Sequence, residues 1–430
     1  MLYQRSITFG VLCNACVGAF AAVPAQDHFS AEINVESIFT NNALKTAFDG
    51  VSERQDTLSI GLNGQQTNRY SSLKLAYSAD RTYFSEHSQE DANTLEGDVQ
   101  WVLGKDFDWF NLTLEDSRRK VLRSSTATPL LSNTGEREVI SIEPQLRLHI
   151  SPVDQIIIGV THENVQLRRV DASDATRDTA DLMWQHNLSA TDQLSFSLGQ
   201  GESARQISDE PDYKYQIARL GYQARLSHLG YGINLGYQKT QTNGQEDFDK
   251  PNYQINLSYD KNGHSISFAA SSAVTDTLFG DGNANSLENT LTQDSLSQAY
   301  DLVKLSQSSL SWTSPSLWRG LRLSAQAQYS SHDYYTLAED YTDQAAALSF
   351  IYNFAVHTRG TLQLKRGDSS FDQALLNSDY QEDNILLRVS HEFGHDLSAD
   401  FLLGTIKRHS DGAGNEYSER RAGVSVHYQF

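Results

Sequence analysis

Cysteine is almost missing from this chain: there are two, Cys13 and Cys16, within its first sixteen residues. A disulfide framework is therefore excluded for the rest. Methionine (2) and proline (7) are equally scarce. Beyond the start, no stretch approaches the roughly 18–20 apolar residues of a spanning helix. Mean hydropathy is −0.49, too polar for a helical membrane protein. No helical periodicity is found outside the first residues, which argues against the two or three mixed domains usual for a soluble chain of 430 residues. A formal net charge of −20 speaks against a nucleic-acid partner. There is no phosphate loop and no Ser/His/Asp arrangement with usable spacing, so nothing points to an enzyme or a cofactor.

What is present starts with a leader. Residues 1–5 carry one positive charge, residues 7–22 are apolar and small, and Val23-Pro24-Ala25 sets small residues before Gln26. This predicts a secretory signal peptide over 1–25, followed by one domain over 26–430. Leu12 before Cys13, and Cys13-Asn14-Ala15 before Cys16, are poor contexts for lipidation. Both cysteines would leave with the leader.

The far end is the most regular. Ala422, Val424, Val426, Tyr428 and Phe430 alternate with Gly423, Ser425, His427 and Gln429. Strict period two makes a strand with one apolar and one polar face. The same alternation recurs in Leu73/Leu75/Tyr77, Leu194/Phe196/Leu198, Tyr253/Ile255/Leu257/Tyr259 and Leu321/Leu323/Ala325/Ala327/Tyr329. Their polar partners include full charges and many Gln, more than a dry core accepts unpaired. A wet lumen on one side and lipid on the other satisfies both faces. Val424, Val426, Tyr428 and Phe430 form a terminal strand that resembles the assembly signal of bacterial outer-membrane proteins, which implies the barrel assembly machinery as a partner.

Punctuation repeats as strand, short turn, strand, long polar loop. Asp260-Lys261-Asn262-Gly263-His264 holds the strongest hairpin signal, Asn-Gly. The longer loops fall near 40–55, 85–93, 119–136, 169–178, 204–212, 242–250, 275–302, 333–341, 369–383 and 410–418. Short periplasmic turns opposite long extracellular loops predict an all-β, transmembrane, antiparallel up-and-down β-barrel of about 18–20 strands in the bacterial outer membrane. A soluble β-sandwich, β-helix or propeller with one solvated face is the competing reading.

Two motifs tempt and fail. His391-Glu392-Phe393-Gly394-His395 matches the zinc-protease pattern, which needs a helix to bring both His together. Its flanks read as strand, where those His would lie about 13 Å apart, so no metal is expected. Asp281-Gly282-Asn283-Ala284-Asn285 opens like a calcium loop, but Thr292 stands where the bidentate Glu belongs. The segment 275–302 is the longest loop and the candidate for constricting the mouth; a solvated external loop is the simpler expectation.

Expected lumen-lining residues are Lys74, Glu143, Arg147, Asp260, Arg322, Arg388 and Glu392, with Gln145, Gln254, Asn256, Gln326 and Gln328. Mixed charges and amides make a channel wall able to hydrogen-bond hydrated solutes or sugars. Cations gather where strands meet long loops: Arg119, Lys120, Arg168, Arg169, Arg420 and Arg421 are candidate contacts to lipopolysaccharide phosphates. Solvated strand ends are the alternative.

Ala31-Glu32-Ile33-Asn34-Val35-Glu36-Ser37-Ile38-Phe39-Thr40-Asn41-Asn42-Ala43-Leu44 resembles the opening of outer-membrane barrels associated with exosortase (PEP-CTERM) and exopolysaccharide systems. Leu73-Lys74-Leu75-Ala76-Tyr77 and the segment 142–152 are similar in pattern to the strands that follow. The resemblance implies a porin-like channel for exopolysaccharide export or surface assembly, with polysaccharide and periplasmic export proteins as partners. It supplies no catalytic residues. Alternatives are a general diffusion porin and a non-conducting surface barrel whose acidic loops bind partners.

Overall fold

The computed structural model describes residues 27–122, 130–168, 174–205, 213–242, 247–279, 301–337, 340–372, 379–394, 396–410 and 416–430. The expected leader, Arg169, His395 and the calcium-like segment 281–285 lie outside them.

Twenty strands follow one another in the chain. The first ten are β1 (His28–Thr40), β2 (Glu53–Thr67), β3 (Ser71–Phe84), β4 (Ala92–Leu103), β5 (Phe110–Leu122), β6 (Thr134–His149), β7 (Asp154–Arg168), β8 (Ala175–Asn187), β9 (Asp192–Arg205) and β10 (Tyr213–Arg225). The second ten are β11 (Leu229–Thr242), β12 (Lys250–Lys261), β13 (His264–Asp276), β14 (Leu302–Thr313), β15 (Leu321–Tyr334), β16 (Tyr341–Ala355), β17 (Thr358–Phe371), β18 (Tyr380–Glu392), β19 (Leu397–Ser410) and β20 (Tyr417–Gln429). Each pairs antiparallel with its neighbours in sequence, and β1 pairs with β20 from Glu32↔Gln429 to Thr40↔Arg421. The sheet is thus a closed up-and-down barrel, and the sandwich and propeller readings fall away. No helix among the described residues is long and apolar enough to cross a membrane. The tight turn expected over residues 260–264 joins β12 to β13. At Asn262-Gly263 both residues take positive φ (53° and 78°), as a two-residue hairpin requires. A Cβ on Gly263 would come within 2.8 Å of the Pro315 ring.

Register decides which side chains meet lipid. Ile158, Leu182, Leu198, Ala218 and Tyr237 stand opposite one another across five strands on the outside. Their inward neighbours Gly159, Asp181, Gly199, Ile217 and Gln238 form the matching row within. At the short-turn end the outer surface is aromatic. Trp184 stacks on His186 at 5.7 Å and donates from Nε1 to Asp154 at 3.1 Å. Tyr428 and Phe430 meet edge-on at 4.7 Å. Rings with a polar tip suit the boundary between hydrocarbon and headgroups. Towards the long loops the outward rows turn ionic, with Lys214–Glu202 at 3.0 Å and His162–Asp178 at 2.7 Å.

Much of the acidity of the loops is structural. Asp91, Asp174, Asp249, Asp340 and Asp379 each immediately precede a strand. Their carboxylates accept the N–H of Phe84, Leu167, Thr240, Tyr334 and Phe371, at or near the end of the strand before. Each closes its loop with a charge-assisted hydrogen bond to a donor that has run out of sheet partners.

The two faces should respond oppositely to charge. Ile60 lies outward on β2, while Ser59 lies inward between Asn34 and Asp80. Ile60→Arg is expected to destabilise the barrel by about 2–4 kcal/mol if Ile60 lies near the bilayer midplane. Ser59→Arg should cost well under half as much. Urea titrations of barrel refolded into vesicles, followed by gel mobility, measure both; equal losses would refute the face assignment.

Candidate functional site: lumen and outer mouth

All seven residues expected to line the lumen stand on the inward face by register. Lys74 faces inward on β3 between Gln65 and Gln100. Glu143 and Arg147 do so on β6, where Gln145 donates to Glu143 at 2.5 Å. Asp260 on β12, Arg322 on β15, and Arg388 and Glu392 on β18 complete the set. The structure spreads them round the wall and does not gather them into one site. Glu392 lies 3.6 Å from His357, and His391 is on the opposite face, with Nδ1 2.9 Å from Thr358 Oγ1. The zinc-like motif is strand here through Glu392. No group of three metal-ligating side chains occurs among the described residues.

The basic clusters divide by strand parity. Arg119 points inward and holds Asp98 at 2.5 Å, with its side chain 8% exposed. Arg421 also points inward and interacts electrostatically with Glu36. Neither can meet an outer-leaflet phosphate, because adjacent residues of a strand face opposite sides. Arg420 and Arg168 are on the outer surface; Arg168 reaches Glu138 at 3.5 Å, and Arg118 is paired with the same carboxylate. Lys120 lies 3.4 Å from Glu96, where the pairing of β4 with β5 has stopped at Gly97.

The mouth holds what sequence reasoning missed. At the end of β13, Asp276 is fully buried. Its Oδ1 accepts the N–H groups of Leu278 and Phe279 at 2.8 and 2.9 Å, and its Oδ2 accepts the Tyr213 hydroxyl at 2.6 Å. Tyr213 belongs to β10, three strands away. This one carboxylate turns the chain inward and anchors it to the wall. Leu278 and Phe279 then pack on Val139, Val165 and Ala175, inward residues of β6, β7 and β8. The Phe279 ring lies 4.2 Å from the Arg177 guanidinium, which donates to Glu163 at 2.5 Å. A cation held over a ring face, itself neutralised by a carboxylate, is a favourable desolvated contact. The described start of the 275–302 loop therefore crosses the inner rim and does not project into solvent.

The returning end is tied as firmly. Thr277 N–H donates to the Asp301 carbonyl at 3.0 Å. The Asp301 carboxylate accepts the N–H groups of Thr336 and Leu337, each at 2.7 Å. Tyr335 packs on Phe248, ring centroids 5.0 Å apart, beside Tyr213, Val274 and Leu302. Three outer loops are so joined over one side of the mouth. A signal was available: Leu278-Phe279 is a bulky apolar pair inside a polar loop, and Val139-Ile140 breaks the alternation of β6 where that pair lands.

No protein-family model matches the chain, and no curated protein sequence matches it. Solved structures do. A variant of the ferric enterobactin receptor PfeA of Pseudomonas aeruginosa is similar at 10% identity, over 94% of this chain and 80% of that one, with a TM-score of 0.46. The FrpB iron transporter of Neisseria meningitidis is similar at 8% identity, over 94% and 81%, TM-score 0.46. The outer-membrane protein OpdK of Pseudomonas aeruginosa is similar at 11% identity, over 94% and 99%, TM-score 0.38. On its own closed sheet, apolar without and polar within, the chain is a β-barrel of the bacterial outer membrane.

Proposed function

We propose that this barrel is a channel whose outer mouth is partly shut by its own loops, and that its cargo is an exported or surface polysaccharide. What supports the channel is the inward face, on which polar side chains predominate below the apolar landing at Val139, Val165 and Ala175. Twenty strands at about 4.8 Å give a wall roughly 96 Å round before tilt, enough for an aqueous lumen. The polysaccharide part of the reading rests on the resemblance of the 31–44 segment to exopolysaccharide-system barrels. Lys120, Arg168 and Arg420 are offered as contacts to lipopolysaccharide, and the row Val424, Val426, Tyr428 and Phe430 as the surface read by the assembly machinery. Periplasmic export proteins would meet the short-turn end.

The second reading is a non-conducting surface barrel. The joining of three loops through Asp276, Asp301 and Phe248 favours it, because a permanently covered mouth would pass nothing.

Removing the cover separates the two. Phe279→Ala deletes the contact to Arg177 and most of the apolar landing, while Phe48→Ala changes a ring 85% exposed in another outer loop. In planar bilayers, Phe279→Ala is expected to conduct at least severalfold better than the parent, and Phe48→Ala to match the parent. Deletion of the gene should reduce surface polysaccharide. A barrel silent in every variant, with polysaccharide unchanged on deletion, would establish the second reading.

A further inference from the structure

The inner wall is not the same all round. On β1–β8 carboxylates such as Glu36, Asp80, Glu115 and Glu143 outnumber the inward cations. The arc β11–β15 is different in kind. Between Lys250 near the rim and Asp260 and Arg322 near the short turns, its inward residues carry no full charge. They are amides and hydroxyls, separated mainly by Gly and Ala. Register aligns them across strands: Asn234 faces Gln254, Gln254 faces Ser271, Ser271 faces Gln307, and Gln307 faces Ser330. Neighbours in such a row are about one strand spacing, 4.8 Å, apart. Most of these side chains are half-exposed to the lumen.

Each amide offers both a donor and an acceptor, and each hydroxyl does the same. A row of them can exchange hydrogen bonds with sugar hydroxyls almost as it does with water. Contact of that kind is favourable enough to admit a chain and weak enough to release it. Between Lys250 and Arg322 no full positive charge on the arc is available to a carboxylate, and the carboxylate-rich facing wall repels one. Folding alone does not impose the asymmetry, since mixed charges on β1–β8 are accommodated in the same barrel.

We propose that the inward face of β11–β15 is a track for an uncharged, hydroxyl-rich saccharide chain, and that carboxylated chains are disfavoured on it. This deepens the channel reading and rests on it. The test uses full-length barrel, parent and Phe279→Ala, in planar bilayers, with a short neutral glucan oligomer or an oligouronate of equal length added. The glucan should interrupt the current, and the oligouronate should do so at least tenfold less well. The double variant Gln254→Leu with Gln307→Leu, which removes both amides at similar size, should still conduct, which reports folding. It should need about tenfold more glucan for half block, as expected on losing roughly two ordinary hydrogen-bonding partners. Conductance with equal block by both sugars, or glucan block untouched by the double variant, would overturn the track alone. No conductance from any form would overturn the channel reading and the track with it.

Discussion

Hydrocarbon offers no partner to a backbone N–H or C=O, and the rest of this structure depends on that. A sheet can satisfy the demand only by having no edge. The pairing of β1 with β20 removes the last one, from Glu32↔Gln429 to Thr40↔Arg421. Once the ring is closed, every strand has two neighbours and a fixed register, and one side-chain row in two is committed to lipid. A slip of a single residue anywhere would exchange rows such as Ile158, Leu182 and Leu198 for Gly159, Asp181 and Gly199.

The ends of the strands obey the same accounting of donors. Where the ladder stops at the outer rim, the last N–H of a strand needs an acceptor, and an aspartate placed just before the next strand supplies it. Asp276 does more with the same chemistry. Its carboxylate takes two N–H groups and a tyrosine hydroxyl, and the loop it starts is turned across the mouth and not away from it. At these aspartates, what reads as surface acidity is loop closure.

The inner wall joins fold to function. Charges on β1–β8 are partly neutralised locally, as in Arg119 with Asp98 and Arg177 with Glu163. Between Lys250 at the rim and Asp260 and Arg322 near the short turns, the arc β11–β15 carries amides and hydroxyls and no charge that needs such a partner. Ionic and neutral sectors give one lumen two unlike surfaces, and with the loops gathered over one side of the mouth they make the barrel anisotropic at both rim and wall.

Period-two alternation, with turn residues between the runs, determined the fold class, the two faces and nearly every loop without coordinates, because each is a local consequence of strand geometry. Lys74, Arg388 and the other expected lumen residues face inward for that reason alone. Parity could also have separated Arg420 from Arg421 and Lys120 from Arg119, where grouping cations by proximity in sequence put both members on one surface. Only the tertiary structure decided that there are twenty strands, since closure is a property of the whole ring. It alone brought Tyr213 to Asp276, three strands away, and Arg177 of β8 to Phe279 in the loop after β13, contacts that depend on curvature and on the direction in which that loop turns.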